Sequence, residues 1–399
     1  MMQGFAYYTG PSAGRQAAYD FDSAPDRTLV PGEKWERYAG RDVIPMWVAD
    51  MDFAVAPEIR QALAQRLEHP VYGYTDPWPS LVEVVCAGIE RDHGWAIDPA
   101  WLVWLPGVIP GFHFGCAIAP GETIVTHTPV YPPFLAAPAN VGKRLRAVDL
   151  VCVKGRWVHD EAAMAAAFAP GDVGALLLCH PHNPTGRLWD DKELAWLAEL
   201  ALAHDAILVS DDIHAGLVLT RERRHRPIAT LAPEVAARTV TLFAPSKTWN
   251  VPALQCAFAV IPGEALRARY RRALRGRIPS SPNLFGLVAA EAAYRDGWAW
   301  REALLEYVRG NVALALESVR ALDLPVAEPE ATYLLWIDVR SLGLEDAAAH
   351  FEAHGLGLSD GAAFGAPGFV RMNLGCPRSR LAEGLRRFAR AVEAARRRP

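Results

Sequence analysis

The segment PSKTWN places Lys247 directly after an apolar run, TVTLFAPS, that ends in a small hydroxyl residue. Two polar side chains of complementary type precede it, Asn183 in HNPTG and Asp211 in VSDDIH. A lysine amine condenses with an aldehyde, a carboxylate keeps a pyridine nitrogen protonated, and an amide hydrogen-bonds a phenolate oxygen. Together they supply the protein's half of a site for an aldehyde-bearing pyridine cofactor. Only five of the 41 basic residues are lysines, so a lysine here is not one of many, although a plain surface lysine is the alternative.

The elements that must position these residues are legible as well. From about residue 56, helical stretches such as PEIRQALAQRL alternate with short β-rich runs: WLVWL, TIVTH, GALLLCH, AILVSDD and TVTLFAP. Such alternation predicts an α/β domain with a mostly parallel sheet, and runs that are apolar throughout predict strands covered on both faces. Asn183 follows GALLLCH, Asp211 follows AILVS and Lys247 follows TVTLFAPS, which sets all three near strand carboxyl ends, where open α/β sheets bind ligands. After residue 285 the chain turns strongly helical, then gives strands at ATYLLWIDV and GFVRMN and a last helix at LAEGLRRFARAVEAARR. The expected division is an N-terminal arm with part of a small domain (1–55, ending in a short strand at VIPMWVADMDF), a large domain (56–284) and a C-terminal small α+β domain (285–399).

Composition bounds the rest. The 399 residues, 51% of them hydrophobic, suffice for a large core and two or three domains, which excludes a small binding module. No run of eighteen apolar residues occurs, and MMQGFAYYTGPSAGRQ lacks the charged-then-apolar pattern of a secretory signal, so the expectation is a cytoplasmic protein without membrane contact. Six cysteines without a CxxC pair argue against a zinc site or a disulfide framework and read as buried reduced thiols; no metal is expected. With a net charge of −4, the arginine-rich stretch 267–277 and the ARRR near the C-terminus read as solvated helix faces, not as nucleic-acid contacts.

The segments PMWVADMDFAVAP, VYGYT, PGVIPG, TPVYPPF, HNPTGRLW, SDDIHAGLVL, PSKTWNVPAL, SPNLFG, ATYLLWID and GFVRMNLGCPRSRL follow one another over nearly the whole chain. In that order they resemble the fold-type I pyridoxal phosphate enzymes of the class I/II aminotransferase superfamily, and among them the MalY/PatB-type cystathionine β-lyases, or cysteine C–S lyases. The resemblance implies an aspartate-aminotransferase-like fold with a seven-stranded sheet, and pyridoxal 5′-phosphate as cofactor. It implies that Lys247 holds the cofactor covalently and, once displaced by substrate, carries the Cα proton. Asp211 would pair with the pyridine nitrogen, though it could simply cap the next helix. Asn183 would contact the phenolate oxygen, though NPTG could be an ordinary turn. His214 would reach the same oxygen or the ring's surroundings, or be a core histidine. Tyr131 would stack on the ring, or pack beneath a Pro-rich turn. Gly107, Val108 and Ile109 would bind the phosphate through backbone N–H groups, with Ser246 adding a hydroxyl. Arg371 would bind the substrate α-carboxylate, a surface salt bridge being the alternative, and Trp47 would line the pocket or sit in the core. Tyr74 would reach across a homodimer interface toward the neighbouring cofactor and substrate.

Two departures from the family pattern stand out: Asp212 and Gly216 replace a glutamate and an acidic residue, and GFHFGCAIAPGE is about two residues short and carries Phe112, His113 and Phe114. The second predicts a substrate pocket of unusual shape. The implied activity is β-elimination from L-cysteine S-conjugates such as cystathionine to thiol, pyruvate and ammonia. Alternatives are an aminotransferase, an enzyme that cleaves or oxidatively decarboxylates a bulky S-conjugate, or a regulatory binding protein on the same scaffold.

Overall fold

The strand-forming runs are apolar because both faces of their sheet are covered. In the computed structural model, which describes residues 19–279 and 281–397, Leu177 and Val209 enter one core while their neighbours Leu176, Leu178 and Leu208 enter the other. Residues 1–18 of the expected arm and Arg398 of the C-terminal ARRR lie outside the described residues.

Seven strands make the large sheet: β1 (Leu102–Leu105), β2 (Thr123–Thr128), β3 (Arg144–Asp149), β4 (Val173–Cys179), β5 (Ile207–Asp211), β6 (Thr239–Phe243) and β7 (Ala257–Val260). Their order is β1-β7-β6-β5-β4-β2-β3, and only β7 runs against its neighbours. Six carboxyl ends therefore share one edge of the sheet. Two strands escaped the sequence pattern for physical reasons. The edge strand β3 is mostly exposed and polar, and β7 is only four residues long.

The helices that matter for the site are α1 (Pro57–Leu67), α2 (Pro79–His93), α3 (Val108–Ala117), α4 (Pro132–Asn140), α5 (Leu284–Asp296), α6 (Trp298–Arg320) and α7 (Arg378–Arg396). Helix α3 lies flat on the sheet because glycines four apart face it: a Cβ on Gly111 would meet Leu242 at 2.7 Å, and one on Gly115 would meet Val209 at 2.8 Å. A second, antiparallel sheet has the order β8 (Leu334–Asp338), β10 (Phe369–Asn373), β9 (Ser359–Asp360). The arginine-rich segment is largely helical, Glu264–Leu274, and turns Leu266, Tyr270 and Leu274 inward, so the solvated-face reading holds for it. Of the cysteines, Cys116, Cys179, Cys256 and Cys376 are buried thiols as expected, whereas Cys152 is exposed and Cys86 half-buried.

The short strand expected at VIPMWVADMDF is present but spans two residues. Only Ile44–Pro45 pairs, in parallel, with Leu356–Gly357. Residues 46–53 instead form an irregular strap: Met46 and Asp52 bond to backbone groups of Gly357, Asn373 and Gly375, and side chains take up much of the rest, which is how a non-ladder segment meets its hydrogen-bonding needs. Asn373 Nδ2 donates to the carbonyls of Val48 and Asp50, both at 2.6 Å. Asn250 accepts from the N–H of Met51 and donates to the carbonyls of Met51 and Phe53.

The strap ends in a buried ionic hub. Asp52 is 2% exposed and accepts from Lys34 Nζ (3.1 Å), Arg27 (3.1 Å), Trp35 Nε1 (3.1 Å) and Arg380 at the start of α7 (2.9 Å). Burial would raise the Asp52 carboxyl, but Lys34 and Arg380 outweigh it and hold the group below its ordinary range. Lys34 is as deeply buried as its partner. Asp52→Ala therefore takes from the buried ammonium its nearer counter-charge, leaving only Asp50 at 3.6 Å, and urea denaturation is expected to show a loss of about 3–5 kcal/mol. A loss below about 1 kcal/mol, the value of an exposed pair, would contradict the hub's role.

Candidate functional site

Along the shared edge of the large sheet, five of the six strands that end there hand their last or next residues to one place. Strand β1 leads through Gly107 into α3, β2 into Tyr131, β4 into Asn183, β5 ends at Asp211, and β6 leads to Ser246 and Lys247. The topology thus gathers residues more than a hundred positions apart.

Lys247 directs its ammonium at the strap: Nζ donates to the carbonyl of Ala49 at 2.6 Å. Burial, with Arg371 adding to it, outweighs the opposing pull of Asp50 and Asp211 and draws its pKa down to about 8. Arg371, on β10, is 4% exposed. Its Nη1 donates to Asn183 Oδ1 at 2.9 Å, and its Nη2 to the carbonyl of Trp47 at 2.8 Å and to Ser359 Oγ at 3.2 Å. The guanidinium lies over the ring of Phe364, 4.8 Å from its centroid. Its Nε is buried without a partner, and no carboxylate pairs with it among the described residues. Burial lowers its pKa to about 10, which leaves it charged at neutral pH. The surface salt-bridge alternative is therefore excluded. A buried cation without a counter-ion is costly, and an incoming carboxylate supplies what the fold omits.

Asp211 is buried and accepts one hydrogen bond, from the N–H of Ile213 at 3.1 Å. Burial pushes its pKa up to about 7, and the neighbouring Asp212 adds to the rise. Asp212 turns to other partners, Ser210 and His225, the latter at 3.0 Å, so the exchange of glutamate for aspartate at this position leaves Asp211 free. Asn183 is held by its backbone, whose carbonyl accepts from the N–H of Tyr131 at 3.1 Å. Its amide oxygen is engaged by Arg371, and its amide nitrogen remains to donate. Tyr131 is half-buried at the head of α4, with its pKa raised by burial and by Asp211. His214 is buried, its ring edge-on to Tyr333 at 6.5 Å, with Nδ1 unpartnered. Burial, then Lys247 and Arg371, lower its pKa to about 3, so it is a neutral imidazole.

At the start of α3, Gly107 is extended and provides no side-chain cap, and the N–H of Gly111 is the first to reach back to Gly107. The N–H groups of Val108 and Ile109 thus face outward from a helix N-terminus, the arrangement that receives an anion. Ser246 is buried one residue before Lys247. One residue after it, Thr248 fills the space that a side chain at position 216 would need: a Cβ on Gly216 would lie 2.5 Å from Thr248 Oγ1. Gly216 is thus required by the packing that fixes the lysine loop.

Phe112 is wholly buried against Phe134 at 4.9 Å, and His113 bonds the carbonyl of Ile109 and the amide of Asn140 on the outer side of α3. Both side chains thus serve the packing and hydrogen bonding of helix α3. Trp47 contributes chiefly its carbonyl, which orients Arg371; its ring carries Arg37 at 4.7 Å and its Nε1 donates to the carbonyl of Lys34. Tyr74 is wholly exposed and joins none of these residues. Sequence reasoning missed Tyr333, Ser359, Asn373 and the carbonyl of Ala49. Tyr333 and Asn373 lay inside quoted motifs without an assigned task, and a carbonyl leaves no trace in residue type.

The geometry has counterparts among known proteins. A family model described as aminotransferase class I and II matches residues 41–388. Cystathionine beta-lyase PatB of Bacillus subtilis (strain 168) is 34% identical over 387 residues, 94% of this chain and 100% of that protein. The crystal structure of OvoB superposes with a TM-score of 0.91 at 40% identity, covering 94% of this chain and 99% of that one. The PLP-bound C-S lyase from Staphylococcus hominis gives 0.88 at 26% identity, covering 94% and 98%. The residues gathered at the strand ends and the similarity over the whole length lead to one conclusion: the chain belongs to the aminotransferase class I and II family.

Proposed function

We propose that this chain is a pyridoxal 5′-phosphate enzyme that cleaves the C–S bond of L-cysteine S-conjugates of the cystathionine type, releasing thiol, pyruvate and ammonia. The observation that carries the reading is the buried, carboxylate-free Arg371 beside a lysine of lowered pKa. The two cations rest on carbonyls two residues apart, Trp47 and Ala49, a backbone span of at most about 7 Å. One α-amino acid bridges such a distance, its carboxylate on Arg371 and its Cα toward Lys247.

The residues present fit the cofactor. Asp211 offers a buried carboxylate for a protonated ring nitrogen, Asn183 a free amide N–H for a phenolate oxygen, Tyr131 an aromatic face, and Val108, Ile109 and Ser246 donors for a phosphate. Pyridoxal phosphate, when bound, supplies the electron sink for charge left at Cα. The protein does the rest. Arg371 fixes the substrate by its carboxylate while Asn183 and the Trp47 carbonyl fix Arg371. Lys247, of lowered pKa, takes the Cα proton as a neutral amine, and the β-thiolate leaves. His214 stays uncharged and does not compete for that proton. The homologous enzymes named as cystathionine beta-lyase and C-S lyase support this outcome over transamination.

The active unit in this reading is a homodimer. Supporting it, Val71, Tyr72 and Tyr74 stand exposed on one stretch, an apolar surface that a second copy would cover, bringing Tyr74 to the partner's site. The division at residues 56 and 285 belongs to the same proposal, supported by the pairing of Ile44–Pro45 with Leu356–Gly357.

The direct test incubates the protein with pyridoxal phosphate and L-cystathionine and measures thiol and pyruvate together. Equal yields are expected, with Lys247→Ala lowering both by a factor of at least about 10²–10⁴. Keto acid without thiol would overturn the reading. Arg371→Lys removes a two-pronged partner worth about 1.5–3 kcal/mol and is expected to raise KM roughly 10–100-fold with a smaller change in kcat.

Asp211 makes a pH prediction. Its folded pKa, about 7, lies above its unfolded value of about 3.9, so its contribution to stability is full below that lower value and is lost as the pH climbs through 7. In cofactor-free protein the melting temperature should fall between about pH 4 and 7, and Asp211→Asn should make that fall shallower without abolishing it, because Asp212 is raised by burial in the same way. Bound cofactor, bringing a cation to Asp211, should flatten the slope in the unmutated protein. An identical slope in Asp211→Asn would contradict the assignment.

A further inference from the structure

The proposed reaction leaves Tyr333 without a task, although the fold goes to some length to place it. The ring is 1% exposed, and its hydroxyl donates to the carbonyl of Ala49 at 2.9 Å, the same oxygen that accepts from Lys247 Nζ at 2.6 Å. Two donors thus occupy the two lone pairs of one carbonyl, a phenol and the amine that does the chemistry. The residue before it, Thr332, has φ 72°, in the left-handed region where a β-branched side chain is an outlier. Such a conformation costs about 1–3 kcal/mol and persists only where its surroundings over-determine it. They do so here. The N–H of Thr332 donates to the carbonyl of Leu217 at 2.8 Å, its Oγ1 accepts from the N–H of Leu334 at 3.2 Å, and the carbonyl of Tyr333 accepts from the N–H of Leu374 at 2.7 Å.

We propose that Tyr333 is a positioning residue for Lys247: its hydroxyl holds the Ala49 carbonyl so that one lone pair is left for the lysine amine, which makes this carbonyl the station of the amine whenever it is free. The inference rests on the reading of Lys247 as the carrier of the Cα proton. With one N–H on the Ala49 carbonyl, the orientation of the amine is restricted, and the lone pair that takes the Cα proton is turned away from the strap. Tyr333 does not act as the base itself. Burial, with Asp50 adding to it, pushes its phenol far above the ordinary range, so it stays a donor at any pH at which the protein works. The strained Thr332 fixes the direction of approach, and the Asn373 bonds to the carbonyls of Val48 and Asp50, on either side of Ala49, fix the acceptor.

The test is Tyr333→Phe, which keeps the ring and removes the hydroxyl. Two measurements separate positioning from structure. The first is exchange of the Cα hydrogen of L-alanine for deuterium in D2O, followed by NMR at equal occupancy of the lysine-bound cofactor, which requires no C–S cleavage. Exchange is expected to slow about tenfold or more in the variant, corresponding to one lost hydrogen bond in the positioning of the base. The second is the pH dependence with which cofactor-free protein takes up pyridoxal phosphate, read as growth of the visible band, which titrates the free amine. In the unmutated protein the midpoint is expected near 8. Without the phenol the carbonyl is a better acceptor for an ammonium, so the midpoint should rise in Tyr333→Phe. Unchanged exchange per bound cofactor and an unmoved midpoint, with only the melting temperature lowered, would overturn the proposal and leave Tyr333 a packing residue. No exchange by the unmutated protein would instead overturn the reading of Lys247 on which it rests.

Discussion

Three ionisable side chains are taken out of water where the strand ends of the large sheet face β10, and none is paired with another: Lys247, Asp211 and Arg371. Burial of charge is among the most expensive things a fold can do, and it is tolerated where hydrogen bonds or counter-charges answer it. Here the answers are partial. Lys247 has one carbonyl, Arg371 has an amide, a carbonyl and a hydroxyl with Nε left over, and Asp211 has a single backbone N–H. The missing partners define the ligands by charge: a cation for Asp211, a carboxylate for Arg371 and a carbonyl carbon for the lysine.

The strap of residues 46–53 reconciles this with a stable protein. Ordinary ion pairs would satisfy Arg371 and Lys247 completely and so close the site to substrate. Backbone carbonyls orient the same cations while leaving their charge largely uncompensated. The strap has no sheet ladder of its own, so its shape depends on Asn373, Asn250 and the Asp52 hub. Rigidity is placed in a buried ionic cluster away from the chemistry, and incomplete satisfaction is kept where ligands bind.

How much of this the sequence revealed follows from what each residue type can signal. The central strands were legible because burial on both faces makes continuous apolar runs, and the polar residues at their ends were legible because they interrupt those runs. Arg371, Tyr131 and the turn at Gly107 came from resemblance to a family. The strand expected at VIPMWVADMDF ends after Pro45, a limit the sequence hides because an apolar segment bound by side-chain amides looks the same as one bound by a neighbouring strand. His113 and Phe112 drew attention as unusual types, but helix α3 turns one outward and the other into the core. Tyr333 was passed over because its role depends on Thr332 holding a backbone angle that threonine does not advertise.

The central claim is that the strand-end lysine, and no other, carries the cofactor. The most direct measurement reduces the protein with borohydride after incubation with pyridoxal phosphate and locates the added mass by peptide mapping. A single stable adduct is expected, on the peptide that contains Lys247. An adduct on Lys34, Lys143, Lys154 or Lys192 in its place, or reduction without a stable adduct, would contradict it.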